Sequence, residues 1–120
     1  MGQVKAGWKK LVAPDGKTFD IDPSSVSTNV QDFVRESVMG GTGRVGDSEK
    51  AQACFIECDV LLKAGQKRSQ LWQDGAWQIE GRTRTIVLSE DAGYVGDGSM
   101  GDGDKLKVRY ESADAEEVVA

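Results

Sequence analysis

From Leu71 to Glu117 the chain is a series of short β-leaning runs separated by glycine turns, and that spacing limits the fold more than any other feature. Trp77 and Ile79 begin one run, which Gly81 ends, and Arg84–Ser89 is the next. In Lys105–Glu111, Leu106, Val108 and Tyr110 point one way while Lys105, Lys107 and Arg109 point the other, the period of a half-buried strand. The first half repeats the pattern. Trp8–Val12 and Lys17–Ile21 flank Pro14-Asp15-Gly16, where proline presets φ and glycine closes a hairpin turn. Val26–Val38 reads as one long or bent strand after the break at Asp22-Pro23-Ser24-Ser25. In Ala53–Leu62 the residues Cys54, Ile56, Cys58, Val60 and Leu62 share a face, with Glu57 and Asp59 opposite. The one place that suggests a helix is Ala64–Trp72, where Ala64, Arg68, Leu71 and Trp72 fall on one helical face.

About seven strands with turns between them predict an all-β fold with one short helix, a sandwich or barrel-like pair of sheets. The 15 glycines among 120 residues are about twice the usual share, which supports many turns. Residues 1–120 read as a single domain with no linker or internal repeat. The interruption is residues 40–52, a polar, glycine-rich stretch read as a long loop, and loops of that length are usually functional.

Charge and composition exclude several functions. A net charge of −5 with no histidine leaves no basic face to grip phosphates, though DNA could pass such a surface without sticking. No run approaches the ~20 apolar residues of a membrane span. The opening MGQVKAGWKK lacks the apolar core of a signal peptide, so synthesis and retention in a cytoplasm are expected. Without histidine there is no Ser-His or Cys-His arrangement. Asp114, Glu116 and Glu117 lie in a terminal segment that no obvious fold holds in catalytic register, and no enzyme is expected.

Three local patterns imitate sites. Gly41-Thr42-Gly43-Arg44-Val45-Gly46 spells G-x-G-x-x-G, but a dinucleotide site needs it between a strand and a helix, and the chain continues into a strand. The acidic run Asp97–Asp104 suggests calcium, yet the twelfth position counted from Asp97 is Val108 where an EF-hand needs glutamate. Cys54 and Cys58 lie four apart on a strand, roughly 13 Å by strand rise, too far to pair with each other. Two thiols also fall short of a zinc site. They read as core thiols, or as a cross-link between subunits in an oxidising exterior. No cofactor or metal is expected. Trp8, Trp72 and Trp77 read as core or interface anchors, with a sugar-binding face as the alternative.

The pieces Arg84–Ser89 (RTIVLS), Ala92–Asp97 (AGYVGD) and Lys105–Ser112 (KLKVRYES), followed by Ala115–Glu117, resemble the end of the tail tube protein of Mu-like contractile-tailed phages. Phe55-Ile56-Glu57 and the segment before Leu71-Trp72 support the likeness, and Leu11–Ile21 matches the family's opening strand pair. The resemblance implies a β-sandwich subunit in homohexameric rings that stack inside a contractile sheath. It implies as partners the tail sheath protein, the tape measure protein and DNA passing through the lumen. Sheets of adjacent subunits would merge into a barrel, and location in the virion tail would follow assembly in the host cytoplasm. A long loop in this family reaches the next ring, which assigns that role to Gly41, Gly43, Arg44, Gly46 and Asp47. Glu57 and Asp59 become candidates for an acidic lumen wall that repels phosphates. Lys105, Lys107 and Arg109 are expected to be solvated or to pair with a neighbour. A monomeric β-sandwich binding module for sugar or protein, and the tube subunit of a phage-derived contractile bacteriocin, remain the alternatives.

Overall fold

The computed structural model describes residues 7–41, 43–96 and 105–119. Eleven strands run in chain order: β1 Trp8–Val12, β2 Thr18–Ile21, β3 Ser27–Asn29, β4 Phe33–Gly40, β5 Gly43–Ala51, β6 Cys54–Leu61, β7 Gln78–Gly81, β8 Arg84–Leu88, β9 Gly93–Tyr94, β10 Lys105–Ser112 and β11 Ala115–Val119. The all-β expectation holds. The helix expected over Ala64–Trp72 contracts to a short 3-10 turn at Arg68–Leu71, with another at Pro23–Ser25. Gln66 ends a turn closed on the Lys63 carbonyl, and glycine at 65 takes φ +86°, so the chain cannot enter a longer helix there. The single strand expected over Val26–Val38 is two, β3 and β4, broken where Asn29 and Gln31 bond each other through side chain and backbone.

The first hairpin forms as its turn residues require. The Ala13 carbonyl accepts from the Gly16 amide at 2.9 Å, the Ala13 amide donates to the Lys17 carbonyl at 2.8 Å, and Gly16 takes φ +90°. β6 and β10 form the longest pair within the main sheet, antiparallel from Cys54↔Ser112 to Leu61↔Lys105. Their inward residues Cys54, Ile56, Cys58 and Val60 face Ser112, Tyr110, Val108 and Leu106, all buried.

The nine-stranded sheet runs β11-β8-β7-β1-β2-β6-β10-β9, with β3 added to β6. It rolls over on itself, since β6 and β8 touch across the core although three strands separate them in the sheet. A corner at Ala113-Asp114 carries the chain from β10 in one half to β11 in the other. It is stitched by Ser89 N–H to the Asp114 carbonyl at 3.0 Å and Ala113 N–H to the Asp91 carboxylate at 3.0 Å. That amide and the Ser89 hydroxyl hold the Asp91 carboxyl below its ordinary range, the Ser89 bond being the larger cause.

Trp77 stacks on Tyr110 at 4.0 Å between ring centroids, and Phe19 tilts against Trp77 at 6.4 Å. Both large rings are fully buried and both satisfy their polar atoms. Trp77 Nε1 donates to the Gln73 carbonyl at 2.8 Å, and the Tyr110 hydroxyl donates to the Leu71 carbonyl at 2.6 Å. These bonds pin the Leu62–Trp77 connection beneath the rolled sheet.

β4 and β5 leave this body as a separate two-stranded sheet. The molecule accordingly measures 62 × 38 × 28 Å with a radius of gyration of 17.0 Å, against about 13–14 Å for a compact chain of this length.

Trp77→Ala removes the largest core ring and is expected to cost about 3–5 kcal/mol, a large share of the stability of an ordinary domain. Tyr110→Phe keeps the packing but strands the Leu71 carbonyl, for an expected loss of about 1–3 kcal/mol. Urea midpoints for the two variants check the order; equal midpoints for Tyr110→Phe and the parent would contradict the role given to its hydroxyl.

Candidate assembly surfaces

The stretch expected as a loop over residues 40–52 is instead most of a strand. β5 pairs antiparallel with β4 from Phe33↔Ala51 to Gly40↔Gly43, forming an arm. Gly43, Arg44, Gly46 and Asp47 lie on β5, and Gly41 is in the turn at the tip. Register shifts between Val38↔Gly46 and Met39↔Arg44, so Val45 is an extra residue and the strand bulges beside a glycine. The sequence hid this strand because its glycines and polar residues carry no period-two pattern. The G-x-G-x-x-G spelling lies on the hairpin and leads to β6, with no helix after it. At the base, Gln52 N–H donates to the Asp32 carbonyl at 2.9 Å and its side-chain amide to the Gln31 carbonyl at 2.8 Å. Directly opposed Arg35 and Glu49 pair at 2.6 Å, with Arg35 above the Phe33 ring.

Glu57 and Asp59 share the outward face of β6, as expected, but cations stand beside them. Lys107 and Arg109 each approach the Glu57 carboxylate to 3.3 Å, and Arg109 also meets Glu111 at 2.9 Å. The Arg109 guanidinium lies 4.0 Å from the centre of the Phe55 ring. Lys105 pairs with Asp22 at 3.3 Å, and Asp22 is held below the ordinary carboxylate range mainly by its bonds to Ser24. Lys105, Lys107 and Arg109 therefore find partners within their own chain, where solvation or a neighbour was expected. Strand register explains it, because Arg109 lies opposite Glu57 and Lys107 opposite Asp59. Each half-exposed pair contributes about 0–1 kcal/mol.

Cys54 and Cys58 are free and fully enclosed on the inner face of β6. Burial pushes the Cys58 thiol up to about 12; Cys54 is raised by burial and then by Asp32, Asp114 and Asp91. Both sulfurs are sealed from a neighbouring subunit, which favours the core-thiol reading over the alternative of an inter-subunit disulfide. Trp77 is core while Trp72 is 49% exposed, so the three tryptophans do not form one sugar-binding surface. The acidic run Asp97–Asp104 lies outside the described residues.

The carboxylates near the C-terminus are held after all. β11 pairs with β8 from Ala115↔Leu88 to Val119↔Arg84, and Glu117 binds Arg84 at 2.6 Å. Among the described residues nothing pairs with the other side of β11, and Val118 is 48% and Val119 65% exposed. The strand carries no lysine, proline or bulge to blunt that edge, and such an edge is a template for pairing with another chain. The charged residues there hide a paired strand from a reading of the sequence.

A rolled, all-β body with a free edge and a projecting arm defines a subunit built to associate. Among the described residues no cluster could hold a metal ion, and no helix is long and apolar enough to cross a membrane. The family model described as phage tail tube protein matches residues 9–117, and the chain belongs to that family. It is a structural subunit of a phage tail tube, a virion protein that assembles with other copies into the tube. No curated protein matches it.

The enclosed thiols make two checkable statements. The native protein is expected to give no reaction with a thiol reagent at pH 8, and two equivalents once unfolded. Because the folded Cys58 pKa is raised, stability is intact below the unfolded thiol value of ~8.5 and falls as pH rises through it. Buried Tyr110, also raised, steepens the fall above pH ~10. Cys58→Ala is expected to flatten the alkaline slope of stability measured between pH 8 and 10; an unchanged slope would remove Cys58 as its cause.

Proposed function

We propose that the subunits form homohexameric rings that stack into a hollow tube inside a contractile sheath of the Mu-like type. The tube houses the tape measure protein and later conducts DNA during ejection. The observation that carries this reading is the β4–β5 arm, a separate two-stranded sheet that packs mainly on itself. A two-stranded hairpin is marginal alone in water, so an arm of this kind needs a second copy to lie on. The free edge of β11 supports lateral joining, since strand addition there would extend the sheet from one subunit into the next.

In this reading Gly41, Gly43, Arg44, Gly46 and Asp47 belong to the contact between rings, and the outward face of β6 and β10 lines the lumen. On that face Glu57, Asp59 and Glu111 equal Lys105, Lys107 and Arg109 in number, and Asp22 joins from the turn before β3 by pairing with Lys105. The ion pairs hold each cation to a carboxylate, which keeps it from gripping a passing phosphate. Assembly takes place in the host cytoplasm before the virion is released. The tube of a phage-derived contractile bacteriocin would use the same chemistry without the DNA.

Arg35 and Glu49 oppose each other in register, so replacing residues 36–48 with an Asn-Gly turn shortens the arm without disturbing its base. The expected outcome is a monomer with the parental urea midpoint that forms no tubes in negative-stain electron microscopy, while the parent forms tubes built of six-fold rings. Tubes of normal length from the shortened variant would sink the stacking role of the arm, and parental rings of another symmetry would sink the hexamer.

A further inference from the structure

Two features lack a partner within the chain, and they lie side by side. The first is a groove of about 450 Å³ between β3 and the inner faces of β8 and β11. Trp8, Val30 and Ile86 supply its apolar lining, Thr28 and Gln31 come from the β3 side, and the Arg84–Glu117 pair from the other. Glu117 lies in register with buried Ile86, so a charge stands on the inward face of β11 where its neighbour Ala115 packs on the core. The core therefore stops short of sealing this opening. β3 pairs with β6 along one side alone, leaving a second row of backbone donors and acceptors at the groove. Arg84 Nε is buried there with no hydrogen-bond partner among the described residues, although Nη1 of the same side chain binds Glu117. A buried donor left without an acceptor is uncommon and costly.

The second feature is the arm. Its β4–β5 sheet has both outer edges free, and it leaves the body at Phe33, just past Gln31 in the groove lining.

We propose that the groove is the receptor for the β4–β5 arm of a second copy, entering as an added strand along the free edge of β3. Main-chain hydrogen bonds along β3 carry the contact, and part-buried Trp8 and Val30 supply apolar surface beside it. β11 is excluded as the occupant because Glu117 already forms a wall of the same groove. The contact is heterologous: each copy gives an arm and receives one, so it propagates from subunit to subunit. The inference rests on the tube reading and names the surface that the arm engages.

The test uses the full-length protein before and after assembly. Hydrogen exchange on the unaltered chain is expected to slow at Ser27–Asn29 by at least about ten-fold when tubes form, as paired strands exchange only on opening. In parallel, a benzophenone amino acid at Thr28 in mixed light and ¹⁵N-labelled copies is expected to cross-link to a peptide from residues 33–51 of a different copy. Tubes with unchanged exchange at Ser27–Asn29, or cross-links confined to other peptides, would overturn the receptor assignment and leave the tube reading standing. Failure of the parent to form tubes would overturn both.

Discussion

The stack of Trp77 on Tyr110 is the contact on which the rest of the molecule depends. Tyr110 lies on β10, in the half of the sheet centred on β6, and Trp77 immediately precedes β7, in the half that carries β8 and β11. A single nine-stranded sheet has no reason to fold over unless its two halves share something bulky. Here two rings 4.0 Å apart fill that space, with Phe19 of β2 against them. Their polar atoms are spent on the carbonyls of Gln73 and Leu71, so the long connection between β6 and β7 is fixed by the same rings. Burial of both rings raises no unsatisfied group, which is the condition for aromatic side chains with polar tips to stay in a core.

Because the roll is held from inside, it does not need to close. The sheet ends at β11 on one side and the two-residue β9 on the other, and β3 keeps a free edge beside the Arg84–Glu117 opening. A solitary protein normally blunts such edges. In the assembly proposed above, neighbouring subunits would supply the missing strands. The base of the arm is held by Arg35–Glu49 and by the Gln52 bonds to Asp32 and Gln31.

Strands that pack on the core were legible because burial imposes period two on the side chains. Cys54, Ile56, Cys58 and Val60 on β6, and Leu106, Val108 and Tyr110 on β10, declare their inner faces in the sequence itself. β5 and β11 were not legible, since β5 pairs only within a separate two-stranded sheet and β11 buries little beyond part of Ala115. Glycine at positions 43 and 46 speaks locally for a loop, and the β4 ladder overrides it with a bulge at Val45. The expected helix failed for a related reason: Leu71 is anchored by the hydroxyl of Tyr110, distant in sequence, which fixes the connection as a short 3-10 turn.

By itself the sequence determined the all-β class, the opening hairpin, the inner faces of the central strands and the order of pieces that marks a tail tube protein. These depend on neighbours along the chain: alternation, turn residues and spacing. Only the tertiary structure decided that Glu57 is flanked by Lys107 and Arg109, that both thiols are sealed, that residues 43–51 form half of an arm and that β11 ends the sheet as an open edge. Each of those facts is set by which strand lies alongside which. Register and edge position are properties of pairs of distant segments, and no segment carries them alone.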